Sequence, residues 1–135
     1  MVNIINGNNN ANTLNGTELE DLISGLGGND LLRGRGGKDT LFGGNGKDRL
    51  FGDVGEDELY GEDGDDTLYG GTSAIDGVDG KDLLDGGAGN DLVYGGLEDT
   101  AQGGADNDTW LVASMTTCCT ATTQWVYLRV VPTRS

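Results

Sequence analysis

The sequence predicts an all-β chain, a coil of short strands separated by tight glycine turns. Three observations predict it. Ile5, Leu14, Ile23, Leu32, Leu41, Leu50, Leu59 and Leu68 recur at a strict spacing of nine. Asp21, Asp30, Asp39, Asp48, Asp57 and Asp66 each stand two positions before one of the last six. The residues just ahead of those aspartates are largely glycine, as in Gly43-Gly44-Asn45-Gly46-Lys47-Asp48-Arg49-Leu50-Phe51. Self-similarity at a fixed period is the mark of a fold built by stacking one unit.

Each position in the unit has a physical task. The glycines permit positive φ and close backbone approach, so the chain turns tightly. The closing residues, such as Thr40-Leu41-Phe42 or Thr67-Leu68-Tyr69, favour extended structure. Side chains alternate along a strand, so the central apolar residue points inward and its neighbours outward. The unit is a turn followed by a short strand.

Taken in order, the first unit, Gly7 to Leu14, keeps the beat but carries Asn12 in place of aspartate. Residues 1–15 are read as a degenerate capping repeat, because decay at the ends is expected of stacked units. The next unit has Leu19 where the third glycine belongs. The units ending at Asp30, Asp39, Asp48, Asp57 and Asp66 are regular. Between Asp66 and Asp82 the spacing grows to sixteen, and the extra segment, roughly Thr72 to Asp76, reads as an enlarged turn. Gly86-Gly87-Ala88-Gly89-Asn90-Asp91-Leu92-Val93 is a near-complete copy. The unit at Asp99 lacks its third glycine, and the unit at Asp108 has Asp106 in that place.

The general form, G-G-x-G-x-D-x-U-x with U a large apolar residue, resembles the nonapeptide of the RTX, hemolysin-type calcium-binding repeat family. The resemblance covers about residues 7 to 110, and residues 16–110 are read as the calcium-binding unit. It implies that two repeats complete one coil and that coils stack as a flattened right-handed parallel β-roll. Repeats two apart then place their turns on one edge, so Asp39 lies between the turns of Asp21 and Asp57, and Asp48 between those of Asp30 and Asp66. The resemblance further implies several calcium ions, each between two stacked turns. The implied ligands are the carboxylates of Asp21, Asp30, Asp39, Asp48, Asp57, Asp66, Asp82 and Asp91. Backbone oxygens come from the turns of Gly25, Gly28, Gly34, Gly37, Gly43, Gly46, Gly52, Gly55, Gly61 and Gly64. Roughly four to six well-formed sites are expected for a hard cation that takes six to eight oxygens. The best of them bracket Asp30 to Asp66, and the enlarged turn obscures how Asp82 and Asp91 pair.

Stacked aspartates repel one another until a cation sits between them. The sequence therefore predicts a disordered calcium-free chain and a folded calcium-bound one. Extracellular modules bind calcium at about 10⁻⁴–10⁻³ M. The resemblance thus implies a secreted bacterial protein that folds outside the cell, with a type I secretion system as the implied export partner.

Composition narrows the alternatives. The net charge is −15 and every acidic residue lies at or before Asp108. Such a surface repels phosphate backbones, so no nucleic-acid partner is expected. There is no histidine, which removes the commonest general base and the usual zinc or copper ligand. Cys118 and Cys119 are adjacent and make neither a metal spacing nor a disulfide framework. No membrane-spanning stretch occurs, and the start lacks a basic region followed by an apolar run. Gly44-Asn45-Gly46-Lys47-Asp48 lacks the Ser or Thr of a phosphate loop, and no segment matches an EF-hand loop. The aspartates are accounted for by the repeat, so no enzymatic role is expected. No effector domain is recognisable, and the biological target is left open.

Phe42, Phe51, Tyr60, Tyr69 and Tyr94 follow core positions. In a two-repeat coil Phe42 stacks near Tyr60, and Phe51 near Tyr69. Cross-strand stabilisation is the favoured role. The alternative is an adhesin that presents these rings to a glycan or another surface. After Trp110 the character changes: residues 111–135 contain no acidic residue and only Arg129 and Arg134 as basic ones. This tail has three readings: a cap over the last coil, a C-terminal export signal, or a truncated or frame-shifted end.

Overall fold

The computed structural model describes residues 1–71, 80–96, 99–113 and 126–129. Within them the chain is all-β, as the repeat predicts. One parallel sheet contains β1 (Asn3–Asn8), β3 (Asp21–Gly27), β5 (Thr40–Asn45), β7 (Glu58–Asp63), β9 (Leu83–Ala88) and β11 (Thr100–Ala105), in that order. The other contains β2 (Thr13–Asn15), β4 (Leu31–Gly36), β6 (Arg49–Val54), β8 (Thr67–Gly71), β10 (Leu92–Gly95) and β12 (Thr109–Ala113), followed by β13 (Val126–Arg129). From β1 to β12, odd and even strands alternate between the sheets, so two repeats complete one coil. The result is a parallel β-solenoid consistent with a β-roll.

The core is the beat of nine made visible. Ile23, Leu32, Leu41, Leu50, Leu59, Leu68, Leu84 and Val93 are all 0% exposed and form one cluster. Ile5, Leu14 and Ala101 are partly buried against it. In register, Ile23 stands beside Leu41 and Leu41 beside Leu59, while Leu50 stands beside Leu68. Stacking buries the apolar row of each strand against the rows above and below and against the opposite sheet, which no single repeat could do alone.

The interruption after Gly71 leaves this register intact. Leu59 pairs with Leu84 in β9, and Tyr60 with Asp85. The enlarged turn itself, at Thr72 to Asp76, lies outside the described residues. Near the other end Leu84 pairs with Ala101, so the shortened unit also keeps its place. From the tail, β13 pairs antiparallel with β12, Leu111 opposite Leu128. β13 is thereby the outermost strand of its sheet among the described residues. No helix among the described residues is long and apolar enough to cross a membrane.

Candidate metal centre

Every repeat aspartate sits where a turn enters a strand, and its carboxylate does two separate things. The first is a ladder. From Asp39 onward, Oδ1 accepts the backbone N–H of the aspartate one coil earlier. Asp39 takes the N–H of Asp21 at 2.9 Å, Asp57 that of Asp39 at 2.8 Å, Asp82 that of Asp57 at 2.8 Å and Asp99 that of Asp82 at 3.0 Å. On the opposite edge Asp48 takes the N–H of Asp30 at 2.7 Å, Asp66 that of Asp48 at 2.8 Å, Asp91 that of Asp66 at 2.8 Å and Asp108 that of Asp91 at 3.1 Å. Asp82 and Asp91 thus continue the two ladders across the enlarged turn.

The second oxygen carries the chemistry. Oδ2 of Asp30, Asp39, Asp48, Asp66, Asp91 and Asp108 is buried and has no hydrogen-bond donor among the described residues. A buried carboxylate oxygen without a partner is strongly unfavourable. Each such oxygen lies against the first glycine of its own turn, and for all of them but Asp108 a carbonyl from the next coil also faces in. A methyl on Gly43 would lie 2.6 Å from Asp48 Oδ2 and 2.7 Å from the Gly61 carbonyl oxygen. On Gly52 it would lie 2.6 Å from Asp57 Oδ2 and against the Gly70 carbonyl. Gly25, Gly34 and Gly61 repeat this arrangement with Asp30, Asp39 and Asp66. The first glycine therefore keeps open a small oxygen-lined cradle that any side chain would fill.

Gly28, Gly37, Gly46, Gly55 and Gly64 have a different task. Their φ values lie between 102° and 146°, the left-handed region that glycine enters without strain. They turn the chain back toward the strand.

The electrostatics favour a positive partner at these carboxylates. Burial pushes the Asp39 carboxyl up to about 7, with the neighbouring Asp57 and Asp21 adding to the rise and the Asp21 N–H opposing it. Burial likewise raises Asp66 to about 7 and Asp91 to about 6, and it moves Asp48 in the same direction. In each case burial disfavours the charged form, which a nearby cation would favour.

A hard divalent cation fits this donor set. Every donor is oxygen, which suits calcium better than zinc or copper. Among the described residues no three acidic side chains converge as a metal cluster. Backbone carbonyls must therefore supply much of a six-to-eight-oxygen shell, as the cradles allow.

The predicted ligands are not all alike. Oδ2 of Asp21 accepts the backbone N–H of Thr17 at 2.6 Å and the Thr17 hydroxyl at 3.0 Å. Its Oδ1 accepts the Asn3 amide at 2.7 Å. Both oxygens are thus occupied, unlike those of the central repeats. Asn12 closes its turn in the same way, accepting the Asn8 N–H at 2.7 Å, and Asp99 accepts the Gly96 N–H. Conversely, Asp108 was left out of the ligand set predicted from sequence, yet its Oδ2 has the orphaned geometry of the central aspartates and abuts Gly103. The second turn position has a backbone role that the repeat pattern does not mark. Leu26, Arg35, Asp53 and Glu62 sit there at φ between 73° and 83°, where Gly44 and Gly87 occupy the equivalent place. Thr17 does not adopt positive φ. It is β-branched and would be strained there, and this was the available signal that its turn differs.

The aromatic residues form face-to-face stacks. Phe42 and Tyr60 lie 5.0 Å apart, Phe51 and Tyr69 4.7 Å, and Tyr69 and Tyr94 4.5 Å. The Arg33 guanidinium lies 5.1 Å from the Phe51 centroid. Both faces of Tyr69 are covered by neighbouring rings, so the surface a sugar would stack on is occupied there. This is the geometry of cross-strand stabilisation.

Searches of curated proteins and of solved structures find no match to this chain. A family model described as the RTX calcium-binding nonapeptide repeat matches in four copies, over residues 6–41, 15–50, 42–73 and 75–99. These spans contain the core leucines, the cradle glycines and the orphaned carboxylates of the central coils, and the chain belongs to the RTX calcium-binding nonapeptide repeat family.

Proposed function

We propose that this chain is a calcium-operated folding module, in which ions seated between stacked turns complete a roll that its own carboxylates otherwise oppose. The observation that carries the proposal is the row of buried Oδ2 atoms without donors, each beside a glycine-floored cradle. Calcium supplies a divalent positive charge there. The residues of the chain do the rest: Oδ1 fixes each carboxylate to the preceding coil, and the first glycine admits the ion. Because the unfolded chain has no such site, binding free energy becomes folding free energy. The ligands are the aspartates of the central repeats, joined by Asp108, with carbonyls of the cradle turns.

The setting we propose is extracellular. RTX repeats are typical of secreted bacterial proteins, and modules outside the cell meet calcium in the millimolar range. A chain of net charge −15 stays unfolded where calcium is scarce and folds after export. The family is a structural calcium-binding module rather than an enzyme family, and the proposed role is structural.

The test is far-UV circular dichroism from chelator to about 10 mM calcium, with magnesium as the control. A cooperative coil-to-β transition specific to calcium is expected. A chain already rich in β-structure in chelator, or one that responds equally to magnesium, would contradict the proposal.

A further inference from the structure

We propose that the two sheet faces are complementary docking surfaces, so that the even-strand face of one copy seats on the odd-strand face of a second copy of this chain. Outward side chains stand in three rows: one residue before the core position, one after it and three after it. On the even strands up to β12 the charged ones are Arg49 in the first row, Arg33 in the second, and Arg35 and Asp53 in the third. On the odd strands up to β11 they are Glu58 in the first row, Asp85 in the second and Glu62 in the third. Three arginines against one aspartate make one face basic, in a chain whose net charge is −15. The other face carries acids alone.

The match extends to position. Each face puts a charge of its own sign in every row and confines them to two neighbouring strands, β4 with β6 and β7 with β9. First- and third-row residues are four apart, about 13 Å at roughly 3.3 Å per residue, with the second row midway. Whichever way the partner's strands run, each arginine row therefore meets an acid row. The sideways offset left over is about one strand spacing, roughly 4.8 Å, within the reach of an arginine. Each patch also has rings beside it. Phe51 neighbours Arg33 and stacks on Tyr69, and Tyr60 neighbours Asp85 and stacks on Phe42. Arginine and aromatic residues are the side chains enriched where proteins meet.

Charge selects the occupant. Potentials of opposite sign steer surfaces together, and the surface that answers the arginine rows one for one is the chain's own odd-strand face. Six strands about 4.8 Å apart and about 20 Å long bury roughly 1,000–1,200 Å² in total, the low end of specific interfaces. The pairing is therefore weak and reversible. Because its two halves lie on different sheets, the contact is heterologous and does not close at two copies.

The test is sedimentation of the full chain in saturating calcium at low ionic strength, with folding checked by circular dichroism on the same samples. The average mass is expected to rise with concentration from 14.0 kDa past twice that value, and to return to the monomer in about 1 M salt, where screening acts within about 3 Å. Arg33 is drawn to Asp53 at 3.3 Å and Glu58 to Lys38 at 3.4 Å, so the variants exchange the other four charges. Arg35→Gln with Arg49→Gln neutralises the even face, and Glu62→Gln with Asp85→Asn the odd face. Each double variant alone is expected to fold and stay monomeric. An equimolar mixture of the two is expected to stop at two copies, because only one intact contact is left between them. Should a double variant fold poorly, Arg49→Gln and Asp85→Asn alone carry the same comparison. A folded chain that stays monomeric at about 1 mM, where even a millimolar complex forms, overturns the proposal. So does association insensitive to both double variants, or a mixture that assembles beyond two copies. A monomeric chain whose arginines hold polygalacturonate would assign the basic face to an anionic polymer and overturn it as well.

Discussion

Asp48→Asn separates the two oxygens of a repeat carboxylate. Asparagine has the same shape, so Oδ1 still accepts the Asp30 N–H now held at 2.7 Å. The group that replaces Oδ2 is a neutral amide, which cannot serve a cation from the cradle over Gly43. Burial and the nearby Asp30 and Glu62 carboxylates all disfavour the charge on Asp48, so its removal eases the calcium-free fold. In calcium the sign reverses. A site saturated at a hundred times its dissociation constant adds about 2.7 kcal/mol to stability, and Asp48→Asn forfeits about that much. Asp48→Ala is the companion. It also strands the Asp30 N–H, which costs a further ~1–3 kcal/mol with or without the ion. The assay is the calcium midpoint by circular dichroism, paired with ion stoichiometry from calorimetry. Asp48→Asn is expected to raise the midpoint and lower the stoichiometry, and Asp48→Ala to raise the midpoint further. An Asp48→Asn chain with unchanged midpoint and stoichiometry would refute the reasoning, leaving Asp48 as a backbone acceptor only.

Gly43→Ala places a methyl 2.6 Å from Asp48 Oδ2 and 2.7 Å from the Gly61 oxygen, and calorimetry is expected to show lost ion binding. Gly27→Ala is the control, because its methyl meets nothing closer than 3.5 Å. Glu62→Gly relieves a left-handed residue at φ 73° and is expected to stabilise the folded chain by about 1 kcal/mol, read as a higher melting temperature in calcium. The pH dependence follows from carboxyls raised from 3.8 to about 7 at Asp39 and Asp66 and to about 6 at Asp91. Their folded forms hold protons more tightly than the unfolded chain does. The resulting stabilisation of the calcium-free roll is complete below 3.8 and gone above about 7. β-structure in chelator should therefore grow as pH falls through that window. Calcium must displace those protons, so its affinity falls over the same window by up to about tenfold per pH unit for each proton displaced.

Much of this was legible in the sequence because the repeat writes one residue per structural task. The inward leucines and the aspartates at the turn-to-strand junctions follow from a period of nine with alternation along each strand, while the alternation of strands between two sheets is what the family resemblance implies. What was not legible depends on how turns meet across coils. Glycine at the first position holds a cradle open, while glycine at the fourth supplies positive φ, and the sequence writes both as the same letter. Asp21 and Asp39 likewise occupy the same place in the pattern. Only the Thr17 N–H and hydroxyl, aimed at Asp21 Oδ2, distinguish a satisfied carboxylate from an orphaned one.

The two irregular units show what sets the register. Asp57 and Asp82 are separated by 25 residues, Asp39 and Asp57 by 18, and Asp82 and Asp99 by 17, yet all three pairs make the same N–H to Oδ1 bond. Turn length therefore does not fix the stacking of coils. It is fixed at the strand, by a buried apolar side chain and the carboxylate two residues before it. Slipping a strand by one residue would turn its leucine outward and move Oδ1 off the waiting N–H, so both determinants fail together. Such a repeat tolerates insertions on the turn edge so long as the Asp-x-Leu triplet returns. The ion cradles are less forgiving, because they are built from the turns themselves. At Gly70, which faces both Asp82 and Asp99, a methyl would lie 2.6 Å from one carboxylate oxygen and 2.8 Å from the other, a pairing not seen at Gly43 or Gly52. Fold and ion site thus draw on different parts of the same nine residues, and an irregular unit can keep its place in the stack while its cradle changes.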